Sequence, residues 1–359
     1  MFGTLDKYIM KKFFLNFAYW IIGFVFIAVV VDIGENVDRL IKSEAPLGEI
    51  IFRYYIPFCI FFGNLLSPFL VFLSIIWVAS NMAQKSELIA VLSGGISFNR
   101  MIRPFMVVAV LISAFTLISS NYIVPKSNKI KYDFETEYTR SLHNFGQNIH
   151  RELQPGVLYY FSHIRTADSV GYDFSREIWD KGQLREKLKA TRAEFLPDTM
   201  MWELKNVEER TFDKTGKESY NYTRDTVMSI DMRMADFGLP DEIMMNMNSR
   251  ELDEFLEQEK MKGSEKITLI EVEKNSRPAN AISIIILAFM GVSIASRKVR
   301  GGIGIHLLIS VILAALFIFS AKISSVAAMN VDFPADVAVW IPNIIFLALA
   351  CYIYWKAPK

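Results

Sequence analysis

The chain has 359 residues, 52% of them hydrophobic, and a mean hydropathy of +0.26, which is too apolar for an ordinary soluble protein. Its 39 basic and 38 acidic residues nearly cancel, so charge gives no ground for a nucleic-acid partner. The two cysteines, Cys59 and Cys351, sit far apart inside apolar runs, which argues against a disulfide framework or a metal site.

Residues 1–12 (MFGTLDKYIMKK) carry Lys7, Lys11 and Lys12, with Leu5, Tyr8 and Ile9 on one helical face, and read as an interfacial helix. Phe13–Val31 is uncharged. Asp32-Ile33-Gly34-Glu35 follows it instead of a small-residue cleavage site, so an uncleaved first span is expected. Tyr54–Ala79 is a second uncharged run, longer than the ~20 residues needed to cross. Tilt or a kink at Pro57 or Pro68 is expected there.

Gln84–Gly95 (QKSELIAVLSGG) is a polar-capped segment between two apolar runs. Ser86 can serve as N-cap, Glu87 suits a helix N-terminus, and Leu88, Ile89 and Leu92 form an apolar face. Gly94-Gly95 supplies a stop, because glycine takes the left-handed conformation cheaply. A small amphipathic helix outside the bilayer is expected, resting on lipid headgroups or seated in a partner.

Pro104–Val124 makes a third span, Ala279–Ser296 a fourth after Arg277-Pro278, Ile303–Ala321 a fifth and Val337–Trp355 a sixth. Backbone satisfaction in lipid makes them helical. Bases flank one side: Lys7, Lys11, Lys12, then Lys85, Arg100, Arg103, then Arg297, Lys298, Arg300, then Lys356 and Lys359. Residues 32–53 hold five acids against three bases, and 322–336 only Lys322 with Asp332 and Asp336. The positive-inside rule therefore puts both termini and the 84–95 helix in the cytoplasm. Residues 125–278 fall outside, so three regions are expected: 1–124, an external domain 125–278, and 279–359.

The external insert alternates apolar and polar residues at Val157–Ile164, Met201–Val207 and Met228, Ile230, Met232, Met234. Turn signals intervene at Pro155-Gly156, Pro197-Asp198, Asp213–Gly216 and Gly238–Asp241. An antiparallel β-domain, a small sandwich or open roll, is expected. Residues 248–262 then read as a helix with Leu252, Phe255 and Leu256 on one stripe.

Catalytic motifs are missing from the sequence. Gly301-Gly302-Ile303-Gly304 lacks a phosphate-cradling lysine, and there is no HExxH, GxSxG or CxxC. His143, His150, His163 and His306 show no metal-ligand spacing. More informative are the bases near the outer ends of the spans: Arg39 and Lys42 after span one, Lys126, Lys129 and Lys131 after span three, and Lys322 at the end of span five. At headgroup height such bases bind phosphate or carboxylate, or else merely snorkel as interfacial anchors.

Leu5-Asp6-Lys7-Tyr8-Ile9 before span one, KSELIAVLSGG after span two and Val124-Pro125 at the end of span three resemble the LptF/LptG (YjgP/YjgQ) permeases. So does the order of three spans, an external β-domain, an ELxxFL-type helix at Glu251–Leu256, Pro278 leading into span four, and RKVRGG before span five. The L-D-x-Y-I opening leans toward the LptG branch. The resemblance implies a six-span helical membrane protein with an inserted periplasmic β-jellyroll-like domain. It implies a non-enzymatic permease subunit of the inner membrane that extracts lipopolysaccharide and hands it to a periplasmic jellyroll bridge (LptC/LptA-like). The implied partners are a homologous LptF-like permease chain and a cytoplasmic ABC ATPase dimer; ATP and Mg belong to that ATPase, and this chain holds no cofactor. Gln84–Gly95 would be the coupling helix, with Glu87 pairing an ATPase arginine. Arg39, Lys42, Lys126, Lys129 and Lys131 would meet lipid A phosphates. Asp32 and Glu35 depart from enteric members, which carry a lysine in that region. Two alternatives remain at this point: a permease for another lipid or lipoprotein, and a membrane sensor or scaffold that transports nothing.

Overall fold

The computed structural model describes residues 3–139, 145–165, 169–196, 199–213, 217–230, 241–261, 266–295, 302–330 and 333–356. Two compact units emerge, one formed by 1–134 with 268–359 and the other by 135–267.

The first unit is helical. Helix α1 (Thr4–Lys42) is one uninterrupted element of 39 residues, so the expected interfacial helix is continuous with span one. Its start is fixed by Asp6, whose carboxylate takes the backbone N–H of Gly3 at 2.8 Å, and its last turn carries Arg39 and Lys42, the sign the helix dipole favours there. Helix α2 (Leu47–Gln84) contains a π-helical stretch at Ile50–Tyr55 and an internal Pro68. Helix α3 (Glu87–Ser93) is the short segment between the runs. Helix α4 runs Phe98–Ile118, passes through a π turn at Ser119–Ile123 and goes on as Val124–Phe134.

Past the inserted unit come α6 (Ile267–Ala295), α7 (Gly302–Asn330) and α8 (Ala335–Trp355), with α5 (Ser249–Met261) belonging to the insert. Among the described residues six helices are long and apolar enough to cross a membrane: α1, α2, α4, α6, α7 and α8. The helices outrun the expected spans, α1 and α2 at both ends and α4 from Phe98 onward. Pro125 and Pro278 lie inside helices rather than at their ends, and α7 continues from Lys322 to Asn330. Proline breaks helices because it removes an N–H and crowds the preceding turn. In a bundle, neighbouring helices and serine side chains re-satisfy the freed groups.

The core of this unit joins Phe13 of α1, Phe72, Ile75 and Ile76 of α2, Phe105 of α4 and Ile284, Leu287 and Met290 of α6. Gly291 sets the α2–α6 approach: a Cβ there would lie 3.1 Å from both Ile75 and Phe72. A second seam packs Ala279, Ala328, Ala335 and Ala338, the small residues that let helix backbones come close in lipid. Hydrogen bonds cross these seams from Ser113 Oγ to the Ala281 carbonyl (2.5 Å) and from Asn343 Nδ2 to the Ala279 carbonyl (2.9 Å).

The second unit is the expected antiparallel β-domain. Strands β1 (Phe145–Gln154), β2 (Val157–Arg165), β3 (Val170–Asp180), β4 (Gln183–Leu196), β5 (Met201–Phe212) and β6 (Glu218–Met228) pair in sequential order, each with the next. Gly156 at φ +81° turns β1 into β2, where the Pro-Gly pair signals a turn. Trp202 and Leu204 share a fully buried face as their spacing predicts, and Phe161, Phe174, Leu188 and Ile230 join them. Gly171 leaves room for the Phe161 ring, which a Cβ would approach to 2.5 Å. Of the alternating methionines, Met232 and Met234 lie outside the described residues, as do the turn signals at 197–198, 214–216 and 238–240. Helix α5 buries Leu252 and Leu256 as expected.

Candidate functional site

Helix α3 and its turns form the first cluster. Helix α2 ends with the Lys85 N–H on the Asn81 carbonyl and the Ser86 N–H on the Ala83 carbonyl. Ser86 then takes a left-handed conformation, φ +58°, instead of the extended one expected of an N-cap. Two residues, Lys85 and Ser86, separate the helices, and the left-handed backbone at Ser86 turns the chain between them. Its carbonyl still accepts the first helical bond, from Ala90 N–H at 2.9 Å.

The far end closes as a Schellman motif. Ile96 N–H reaches the Val91 carbonyl at 3.4 Å, Gly94 N–H the Ala90 carbonyl at 3.0 Å, and Gly95 sits at φ +83°. The glycine stop is therefore as expected. The side chains of Leu88, Ile89 and Leu92 lie outside the described residues.

Glu87 opens α3, and its carboxylate is held from within the chain. Lys12 Nζ and the Tyr8 hydroxyl both reach Oε2 at 3.3 Å, and Lys12 also donates to Tyr8 at 3.0 Å. Glu87 and Lys12 remain 31% and 24% exposed, so the pair is open to competition from a partner's cation. Beside it Arg100 of α4 grips the buried Asp6 carboxylate through both oxygens, at 2.6 and 2.5 Å. This two-point fork fixes the start of α1 against α4. Tyr354 of α8 hydrogen-bonds Asn99 and stacks on Phe98, adding a third element.

The opposite end of α1 carries the second cluster. Asp32 Oδ1 accepts from Asn36 Nδ2 at 2.9 Å and from the Tyr54 hydroxyl at 3.1 Å. Arg39 Nη2 donates to the same Tyr54 hydroxyl at 3.5 Å. Lys131 of α4 lies over the Tyr54 ring, Nζ 4.8 Å from its centre, and 5.3 Å from that of Phe58. Tyr54 is 1% exposed, walled by Tyr55, Phe58 and Phe134.

The six bases singled out in the sequence thus separate. Arg39 and Lys131 converge on one phenol. Lys42 stands exposed one turn beyond Arg39, and Lys126 and Lys129 are exposed on α4. Lys322 is exposed on α7, and no described contact ties it to Tyr54. Sequence reasoning missed Tyr54, Tyr8 and the Asp6–Arg100 fork. The spacing of Tyr8 and Lys12, four apart on a helix, was the one available signal.

Between the clusters a groove of about 820 Å³ opens among α1, α2 and α4, lined by Phe14, Ile21, Gly63, Asn64, Leu111 and Phe115. In the second unit Phe161, Phe174 and Trp202 are at most 1% exposed, and a cavity of about 650 Å³ opens beside them, lined by Leu158, Tyr159, Phe174, Glu177 and Lys187. No group of three or more His, Cys, Asp or Glu residues is disposed to hold a metal among the described residues.

A protein-family profile described as lipopolysaccharide export system permease LptF/LptG matches residues 7–356. No curated protein matches the chain.

Proposed function

This chain belongs to the LptF/LptG family of lipopolysaccharide export permeases and is a multi-pass inner-membrane subunit of an ABC-type system; from that premise we propose how its two ends divide the work. On the cytoplasmic side a separate ATPase dimer seats on α3, and its arginine displaces Lys12 from Glu87. On the periplasmic side the bases around Tyr54 hold the phosphates of lipopolysaccharide while the acyl chains leave the bilayer for the β-domain and a periplasmic bridge. A second, homologous permease chain completes the cavity.

One observation carries this reading. A single helix, α1, touches Glu87 through Tyr8 and Lys12 and builds the Tyr54 cluster through Asp32 and Arg39. From Lys12 to Arg39 it spans roughly 40 Å at 1.5 Å per residue, more than the ~30 Å hydrocarbon core. Displacement of α3 therefore reaches the lipid-binding end without an intervening loop. The need for external energy follows from the cargo: each methylene leaving the bilayer loses about 0.8 kcal/mol unless it is covered again.

Photocrosslinking tests the reading. Crosslinkers placed at Leu158 and Tyr159, which line the open cavity of the β-domain, are expected in spheroplasts to capture lipopolysaccharide in an ATP-dependent way, and a crosslinker at Glu87 to capture an ATPase. Capture of a lipoprotein in place of lipopolysaccharide would move the chain to the alternative cargo. Absence of any ATPase at Glu87 would leave a sensor or scaffold.

A further inference from the structure

Asp32 is out of place in a phosphate-binding region, where a carboxylate would repel the ligand. Its geometry removes the difficulty. Oδ1 is taken by Asn36 and Tyr54, and Oδ2 is enclosed and reaches no solvent. The charge faces inward, toward the phenol, and does not look out at a ligand.

The Tyr54 hydroxyl donates to Asp32, which leaves its oxygen lone pairs to accept Arg39. Donation to a carboxylate also makes that oxygen a stronger acceptor. The same ring offers its face to Lys131 and is buried among Tyr55, Phe58 and Phe134. One buried side chain therefore seats two long cationic ones that come from different helices. Arg39 lies in the last turn of α1 and is itself exposed, and the hydroxyl is one of the contacts that narrow the rotamers of its guanidinium.

We propose that Tyr54, held by Asp32, is a positioning residue that sets Arg39 and Lys131 as a fixed cation pair for a phosphate of the transported lipid. The proposal rests on reading these bases as headgroup ligands. It makes the acid at position 32 a part of the phosphate site rather than an exception to it.

The test uses the full chain in nanodiscs, with diphosphoryl lipid A and the same lipid after enzymatic dephosphorylation, bound lipid being counted by native mass spectrometry. Tyr54→Phe keeps the ring and the Lys131 contact and removes only the hydroxyl. It is expected to weaken diphosphoryl lipid A about three- to tenfold, the range for one lost hydrogen bond, while the dephosphorylated lipid changes by less than about twofold. Asp32→Asn, which preserves size and an acceptor, is expected to shift the phosphorylated lipid in the same direction and by less. Equal weakening for both lipids would mark Tyr54 as merely structural and overturn the proposal. So would unchanged binding in both variants while Arg39→Ala loses the preference for the phosphorylated lipid. If the unaltered chain shows no such preference and Arg39→Ala is silent too, the headgroup reading itself fails, and the proposal with it.

Discussion

If α1 transmits motion between its two clusters, a hinge at its middle should disconnect them. Gly23 is the place to introduce one: it is exposed, and a Cβ built there meets nothing within 4 Å. Gly23→Pro removes the helical hydrogen bond to the Tyr19 carbonyl and crowds that turn, at a cost of about 3 kcal/mol in a regular helix. Proline kinks exceed about 20°. Arg39 lies 16 residues further on, roughly 24 Å at 1.5 Å per residue, so such a kink displaces the Arg39 end by about 8 Å.

Gly23→Ala is the matched control. It fills open space and stiffens the helix by about 0.5–1 kcal/mol. The assay is lipid transferred to a periplasmic acceptor per ATP hydrolysed, in the reconstituted complex. The proline variant is expected to hydrolyse ATP at close to the normal rate while the lipid-to-ATP ratio falls at least tenfold. The alanine variant should match or exceed the unaltered chain. An unchanged ratio in a properly inserted proline variant would show that force passes through another helix, and the reasoning built on α1 would be wrong.

Glu87→Arg sets a guanidinium against the Lys12 ammonium and presents a cation to the ATPase; ATPase co-purification is expected to drop while the chain stays in the membrane. Asp6→Asn leaves Arg100 without its fork, but that guanidinium is 39% exposed and water replaces much of the loss; a thermal midpoint lowered by no more than a few degrees is expected. Trp202→Ala empties the centre of the β-domain and should cost that unit about 3–5 kcal/mol, read as faster proteolysis confined to residues 135–267. Glu177 is held below the ordinary carboxylate value of 4.5, first by its hydrogen bond from Lys187. Its contribution is therefore present above that value and fades as pH falls through the lower folded one. Glu177→Gln should flatten this part of the acid-unfolding curve, which circular dichroism of the full chain measures.

What can be read from the sequence follows from the range of the interactions. Spans, the β-domain and the glycine stop at Gly94-Gly95 rest on local patterns: long uncharged runs, alternation, and a residue type that alone takes a left-handed backbone cheaply. Helix limits at Pro125 and Pro278 escape a local reading because proline's penalty is offset by neighbours that no local window contains. The Ser86 side chain suits an extended cap, whereas the turn out of α2 dictates its backbone. The site's wiring is the least visible. Lys12 and Glu87 are 75 residues apart and Asp6 and Arg100 are 94 apart, so neither pair leaves a local pattern.

The β-domain adds a constraint on direction. Its core is occupied by Phe161, Phe174, Trp202 and Leu204, each at most 1% exposed, and the cavity of about 650 Å³ beside that core is lined by charged residues, Glu177, Lys187 and Lys189 among them, as well as by Leu158 and Tyr159. An acyl methylene regains the ~0.8 kcal/mol lost on leaving the bilayer only against apolar neighbours, and covering the charged groups of that lining is costly. On the function proposed above, the domain would therefore hold an acyl chain more weakly than the bilayer does. A receiver of that kind cannot pull lipid out by affinity, and it releases what it takes readily. On that proposal, net movement depends on work delivered at the other end of the chain, through α3 and α1, and on the next acceptor removing the lipid before it returns.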